Sequence, residues 1–178
     1  YSMALLQEVL DSGSPVLLDA DALTLVSQDP DLVQAITRRP AATLMTPHAG
    51  ELARLLAVER SDVEARPLHF VREAAARFGC TVLLKGPVTL VAHVGRPTRA
   101  NSTGTSWLGT AGSGDVLSGL AGTYLAAGLD PREAGSMAAF IHGVAGQLLS
   151  KGEISPLRSR ELADALPDAV AAIRGSRT

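Results

Sequence analysis

The stretch Gly109-Thr110-Ala111-Gly112-Ser113-Gly114-Asp115-Val116-Leu117-Ser118-Gly119 runs small residues directly into an Ala- and Gly-rich segment that reads as a helix over about 115–127, ended by Gly128. Small residues let a backbone approach a ligand closely and turn successive N–H groups toward it. The start of a helix adds the positive end of its dipole, and the two together make an anion site suited to phosphate. The segment is not a Walker A loop, because no Lys-Ser/Thr follows the glycines. Asp115 fits two roles. In a purely anion-binding turn its charge would repel phosphate, so beside an anion hole it reads as a catalytic base or acid. The ordinary alternative is an N-cap.

Upstream of this segment, strands and helices alternate. Residues 3–11 read as the end of a helix, stopped by Asp11-Ser12-Gly13-Ser14-Pro15. Short apolar runs after breakers predict buried strands at Val16-Leu17-Leu18, Thr43-Leu44-Met45-Thr46 and Thr81-Val82-Leu83-Leu84-Lys85. A fourth strand returns at Val88-Thr89-Leu90-Val91-Ala92 after the Gly86-Pro87 turn, and residues 93–109 are loop-rich with room for one short strand. Helices are expected over Asp31–Thr37, about Glu51–Ala57, Leu68–Phe78 with Gly79 at C′, Pro131 to about Ser150, and Ser159–Arg174. Ser61-Asp62-Val63-Glu64 fits a capping box with Ser61 as N-cap, and Lys151–Pro156 reads as a loop. This order is that of an open α/β sheet. The chain opens inside a helix rather than before a strand, and the expectation is that an N-terminal portion of the domain lies outside this sequence.

The bulk composition agrees with one domain over residues 1–178. Apolar residues make up 46% and aromatics only 3%, so the core is aliphatic, as suits parallel strands covered by Ala-rich helices. A net charge of −2 without a run of one sign argues against a nucleic-acid surface. The single Cys80 forms no internal disulfide and fits a reducing compartment. No apolar stretch approaches the roughly 20 residues of a bilayer span, and residues 1–6 lack the features of a signal peptide. The expectation is a soluble, cytoplasmic protein without nucleic-acid or membrane partners.

Three further segments sit where strands end. Lys85-Gly86-Pro87-Val88-Thr89 puts a point charge suited to phosphate beside a hydroxyl, or is a plain hairpin turn. Thr46-Pro47-His48-Ala49-Gly50-Glu51 displays His48 at a strand's C-terminal end, where open α/β sheets bind ligands, and Glu51 suits the first turn of a helix. Asp19-Ala20-Asp21 places two carboxylates on one side of an extended chain, for Mg²⁺ through waters or for ribose, or is ordinary turn chemistry. Asn101 and Ser102 lie in a polar loop before the glycine segment. His142 reads as a packed helix residue, His69 and His93 as surface positions, and Trp107 as an anchor for its loop. The four His and one Cys show no metal-ligand spacing, and no protein-borne metal site is expected.

Taken in order, Leu18-Asp19-Ala20-Asp21-Ala22-Leu23, Thr46-Pro47-His48-x-Gly50-Glu51, Lys85-Gly86-x-x-Thr89, Gly112-x-Gly114-Asp115-Val116-Leu117-x-Gly119 and His142-Gly143-x-Ala145-Gly146 resemble the ADP-dependent NAD(P)H-hydrate dehydratases, over nearly the whole chain. The glycine-aspartate element is shared by many ribokinase-like kinases, and the Thr-Pro-His-x-Gly-Glu segment narrows the resemblance to the dehydratases. It implies a ribokinase-like α/β fold, three-layered, with a mostly parallel central sheet flanked by helices. It also implies dehydration of hydrated NADH or NADPH (NADHX, NADPHX) at the expense of ADP, or ATP in some relatives, with Mg²⁺. On this resemblance Lys85, Gly86, Pro87, Val88 and Thr89 bind the nucleotide, and Gly112 and Gly114 form the anion hole. His48 and Asn101 meet the hydrated dinucleotide, and Asp115 is the base that lets the hydrate's hydroxyl attack the terminal phosphate. Partners implied are small-molecule nucleotides, further copies of the chain, and an NAD(P)HX epimerase as partner or fused domain. Ala49 stands where the family often has Pro, and no upstream glycine segment is present. The competing readings are a small-molecule kinase of the hydroxymethylpyrimidine or thiazole type, and a non-catalytic nucleotide-binding module.

Overall fold

The apolar runs lie side by side. In the computed structural model, which describes residues 2–151 and 154–175, β1 (Val16–Leu18), β2 (Thr43–Met45), β3 (Thr81–Leu84), β4 (Thr89–Ala92) and β5 (Arg99–Asn101) form one sheet in the order β1-β2-β3-β4-β5. The first three strands are parallel, β4 opposes β3, and β5 opposes β4. Four of these five strands therefore run one way and β4 alone runs against them. That is the mostly parallel sheet expected, with a hairpin and an edge strand closing one side.

Period-2 alternation assigns the two faces. Val16, Leu18, Met45, Val82, Leu84, Leu90 and Ala92 point into one core with α1 (Ser2–Asp11), α2 (Asp21–Gln28), α3 (Pro30–Arg38), α4 (Ala49–Leu56), α5 (Arg60–Ala65) and α6 (Pro67–Phe78). Leu44, Leu83 and Val91 point the other way, against α7 (Ser113–Ala126) and α8 (Pro131–Ser150). Ala134, Ala138 and Ala139 are the small residues by which α8 lies on the sheet. α9 (Ser159–Asp164) and α10 (Leu166–Gly175) pack outside α8 through Leu162, Ala165 and Ala169. The result is three layers around a sheet. No helix of the described residues is long and apolar enough to cross a membrane.

Several local expectations need correction. Asp21 is not on an extended chain with Asp19. The backbone reverses at Ala20 (φ 49°, ψ −116°) and Asp21 begins α2, so the two carboxylates do not share one side of a strand. Ser61 is not an N-cap, because α5 starts at Arg60 after Glu59 and the Glu64 carboxylate is taken by Arg60 Nε at 2.7 Å. The terminal helix is broken at Ala165, two residues before Pro167, which has no N–H for a continuous ladder. Asn101 lies in β5, not in a loop. The loop expected over 151–156 includes Gly152 and Glu153, which lie outside the described residues. Gly79 does close α6, with φ 62°. Behind it Cys80 is buried, and desolvation pushes its thiol up to about 12.

Candidate active site

The parallel strands end together, and each ends in polar residues. Leu18 leads into Asp19, Met45 into Thr46, Pro47 and His48, and Leu84 into Lys85. The ends stay in register: Thr46 N donates to Leu18 O at 3.0 Å, and Lys85 N to Pro47 O at 2.8 Å. In an open α/β sheet this C-terminal edge is where ligands bind. Here the ammonium of Lys85 donates to Asp19 Oδ1 at 2.8 Å, and its nitrogen stands 3.8 Å from Glu51 Oε2. Ser118 Oγ, one turn into α7, donates to Asp19 Oδ2 at 2.5 Å. Thr46 Oγ1 lies 3.4 Å from Ser118 Oγ. The Lys85 and Asp19 side chains are 20% and 13% exposed, dry enough for the pair to be held firmly yet open on the ligand side.

His48 is the N-cap of α4. Its Nδ1 accepts from Gly50 N at 3.0 Å and Glu51 N at 3.2 Å, and Glu51 Oε2 accepts from His48 N at 2.7 Å. This reciprocal arrangement is a capping box with imidazole as acceptor. An accepting Nδ1 leaves the neutral ring's proton on Nε2. The side chain is 52% exposed, so its outer edge is available to a ligand.

The glycine turn meets this cluster from α7. Gly112, at φ 82°, is the N-cap residue, which removes the N-cap alternative for Asp115. Asp115 is the third residue of the helix. It is exposed, and its carboxylate has no hydrogen-bond or ion-pair partner among the described residues. A Cβ on Gly114 would stand 3.5 Å from Lys85 Nζ, and one on Gly112 only 2.8 Å from Ser159 Oγ. Lys85 and Ser159 therefore lie on either side of the turn. Beneath it His142 Nε2 lies 3.0 Å from Ser113 O and 3.2 Å from Ser113 Oγ. Burial holds the imidazole below its ordinary value, with the Ser113 hydrogen bond opposing.

The structure thus gathers His48, Lys85, Gly112, Gly114 and Asp115 at one edge of the sheet. Gly86, Pro87 and Val88 are exposed in the β3–β4 turn beside Lys85, and Thr89 opens β4 in register with Asn101. Asn101 Nδ2 donates to Ala139 O at 3.0 Å and its Oδ1 accepts from Thr103 Oγ1 at 3.0 Å, so the amide fastens β5 to α8. Residues that sequence reasoning did not place here are Thr46, Glu51, Ser118, His142 and Ser159. Thr46, Glu51 and His142 stood within the quoted motifs without a site role, and Ser118 had the signal of its i+4 spacing from Gly114 on one helix face.

Among the described residues no group of three or more His, Cys, Asp or Glu converges as a metal cage. Mg²⁺ carried on nucleotide phosphates keeps several waters and needs only one or two carboxylates, and Asp19 and Glu51 supply that donor chemistry.

Comparison with known proteins points the same way. Residues 2–168 match the family model described as NAD(P)H-hydrate dehydratase. The chain is 48% identical over 139 residues to a bifunctional NAD(P)H-hydrate repair enzyme of Mycobacterium leprae, covering 78% of this chain and 28% of that protein. It is 41% identical over 156 residues to an ADP-dependent (S)-NAD(P)H-hydrate dehydratase of Neisseria meningitidis, covering 86% of this chain and 52% of that one. The fold superposes on the ADP/ATP-dependent NAD(P)H-hydrate dehydratase of Bacillus subtilis, co-crystallized with ATP and Mg²⁺, with a TM-score of 0.79 and 29% identity. That match covers 92% of this chain and 57% of the other. The chain therefore spans from about a quarter to about half the length of these relatives.

Proposed function

Since this chain belongs to the NAD(P)H-hydrate dehydratase family, we propose that its sheet edge is a site for ADP-dependent dehydration of hydrated NADH or NADPH, giving NAD(P)H, AMP and phosphate. The observation that carries the reading is the juxtaposition of Lys85 with Gly114, beside an exposed carboxylate, Asp115, that has no hydrogen-bond or ion-pair partner among the described residues. Helix-start amides and an ammonium suit a phosphoryl group, and a free carboxylate suits a proton acceptor.

In this reading the amides around Gly112–Gly114 and the charge of Lys85 hold the terminal phosphate, with residues 85–89 alongside the nucleotide. Asp115 removes the proton from the hydroxyl on C6 of the hydrate, whose oxygen attacks the terminal phosphorus as the bond to AMP breaks. The C6–O bond then breaks, phosphate leaves, and loss of the C5 proton restores the ring double bond. Placement and charge neutralisation supply most of the acceleration in such a transfer. Mg²⁺ on the phosphates, near Asp19 and Glu51, would add to that neutralisation. The exposed edge of His48 contacts the dinucleotide. Relatives named bifunctional support a second repair activity, an epimerase, as the neighbour of this domain.

The test is direct. Protein is mixed with ADP and hydrated NADH, and absorbance in the NADH band is followed together with AMP release. Return of absorbance in step with AMP supports the reading. A stable phosphoester product in place of NADH would assign a small-molecule kinase, and ADP binding without turnover would assign a binding module.

A further inference from the structure

We propose that His142 is a positioning residue, which holds the Ser113 carbonyl and so aims the Gly114 N–H at the bound phosphate. The inference rests on the nucleotide-site reading above. His142 is buried within α8, 29 residues from Ser113 in sequence. At 3.0 Å from Ser113 O, a lone pair on Nε2 would face the lone pairs of the carbonyl. The ring therefore carries its proton on Nε2 and donates it to that oxygen. Burial disfavours the imidazolium, so this is the single N–H of a neutral ring.

The peptide joining Ser113 to Gly114 is trans. In a planar trans unit the C=O and N–H point in opposite directions. Fixing the Ser113 C=O against α8 consequently fixes the Gly114 N–H away from α8, out of the start of α7. Ser113 also opens α7, whose i→i+4 ladder takes the same carbonyl, so the His142 N–H is a second donor that ties this first peptide plane to α8 where a helix start would otherwise fray. The motif residue His142 thus joins the site without touching its ligand, through one peptide unit.

ADP affinity is measured by calorimetry for the wild type, His142→Phe and His142→Gln, together with KM and kcat. Gln carries an amide N–H to about the reach of imidazole Nε2. His142→Phe is expected to weaken ADP binding and raise its KM roughly tenfold, the effect of one well-placed hydrogen bond, with kcat changed less than KM. His142→Gln recovers most of the affinity. Wild-type affinity in His142→Phe, or equal loss in both variants as simple packing damage would give, overturns the proposal. If wild type binds no ADP, the functional reading fails and this inference with it. If His142→Phe does not fold, long-range ¹H–¹⁵N spectra of the wild-type imidazole decide: an Nε2–H tautomer supports the clamp and an Nδ1–H tautomer refutes it.

Discussion

Ser118 Oγ donates to Asp19 Oδ2 at 2.5 Å across 99 residues of sequence, while the other oxygen of the same carboxylate accepts from Lys85. Asp19 is therefore the joint at which β1, β3 and α7 are fastened, and it sets where the Lys85 ammonium stands. Asp19→Ala should leave a half-buried ammonium short of its partner and destabilise the fold by about 2 kcal/mol. Ser118→Ala should cost about 1 kcal/mol. The double variant should lose less than the sum, because both remove the same contact. Urea unfolding of the four proteins measures this, and strict additivity would refute a shared joint.

Asp115 separates chemistry from stability. Its side chain is exposed and unpartnered among the described residues, so Asp115→Asn should alter unfolding free energy by no more than about 0.5 kcal/mol. Turnover should fall roughly 10²–10⁴-fold, as for a lost general base. ADP should bind as well or better, because a negative charge near the phosphate has gone. Unchanged turnover in the presence of normal ADP binding would remove Asp115 from the base role.

Gly143 marks where α8 and the 103–108 segment come closest. A Cβ there would fall 2.1 Å from Thr103 Oγ1 and 2.9 Å from the Thr103 carbonyl carbon. Backbone cannot yield as a side-chain tip can, so Gly143→Ala is expected to destabilise by about 2 kcal/mol. Thr103→Ser with Gly143→Ala should not restore stability, since Oγ1 and the backbone stay in place. Thermal unfolding of the single and double variants reads this out.

His142 also gives stability a pH dependence near neutrality. Its folded value lies below the ordinary 6.5 because burial penalises the charged ring. Between the two values the unfolded chain binds the extra proton. Stability is therefore full above about pH 6.5 and declines as pH falls toward the folded value. In urea titrations at pH 7 and pH 5, wild type should lose more stability than His142→Gln. An equal loss in both would mean that this ring is not the titrating group.

What could be read in advance follows from how local the signal is. The strands β1 to β4 announced themselves because each is a short aliphatic run between breakers, which is the pattern of a strand buried on both faces. β5 did not, because Arg99-Ala100-Asn101 is a polar edge strand whose pairing is all backbone. α2 was hidden by Asp19-Ala20-Asp21, read as an extended pair of carboxylates or a turn, when the backbone reverses at Ala20 and a helix begins at Asp21. His48, Lys85 and the Gly112–Asp115 turn were legible as motifs because each sits at a strand end or helix start. Their mutual distances were not. The Lys85–Asp19 and Ser118–Asp19 contacts join residues 66 and 99 positions apart, and no local pattern encodes a partner at that range. Nor did the sequence signal that the Asn101 amide ties β5 to Ala139 of α8, 38 positions away.

The depth at which Cys80 lies behind the Gly79 cap has a practical consequence. A thiol whose ionisation is deferred to about 12 offers almost no thiolate to alkylating or oxidising reagents at physiological pH. Since it is the only cysteine of the chain, a second one introduced on an exposed turn, such as at Val88, would be the sole reactive handle. A fluorophore could then report nucleotide arrival without first deleting the native sulfur.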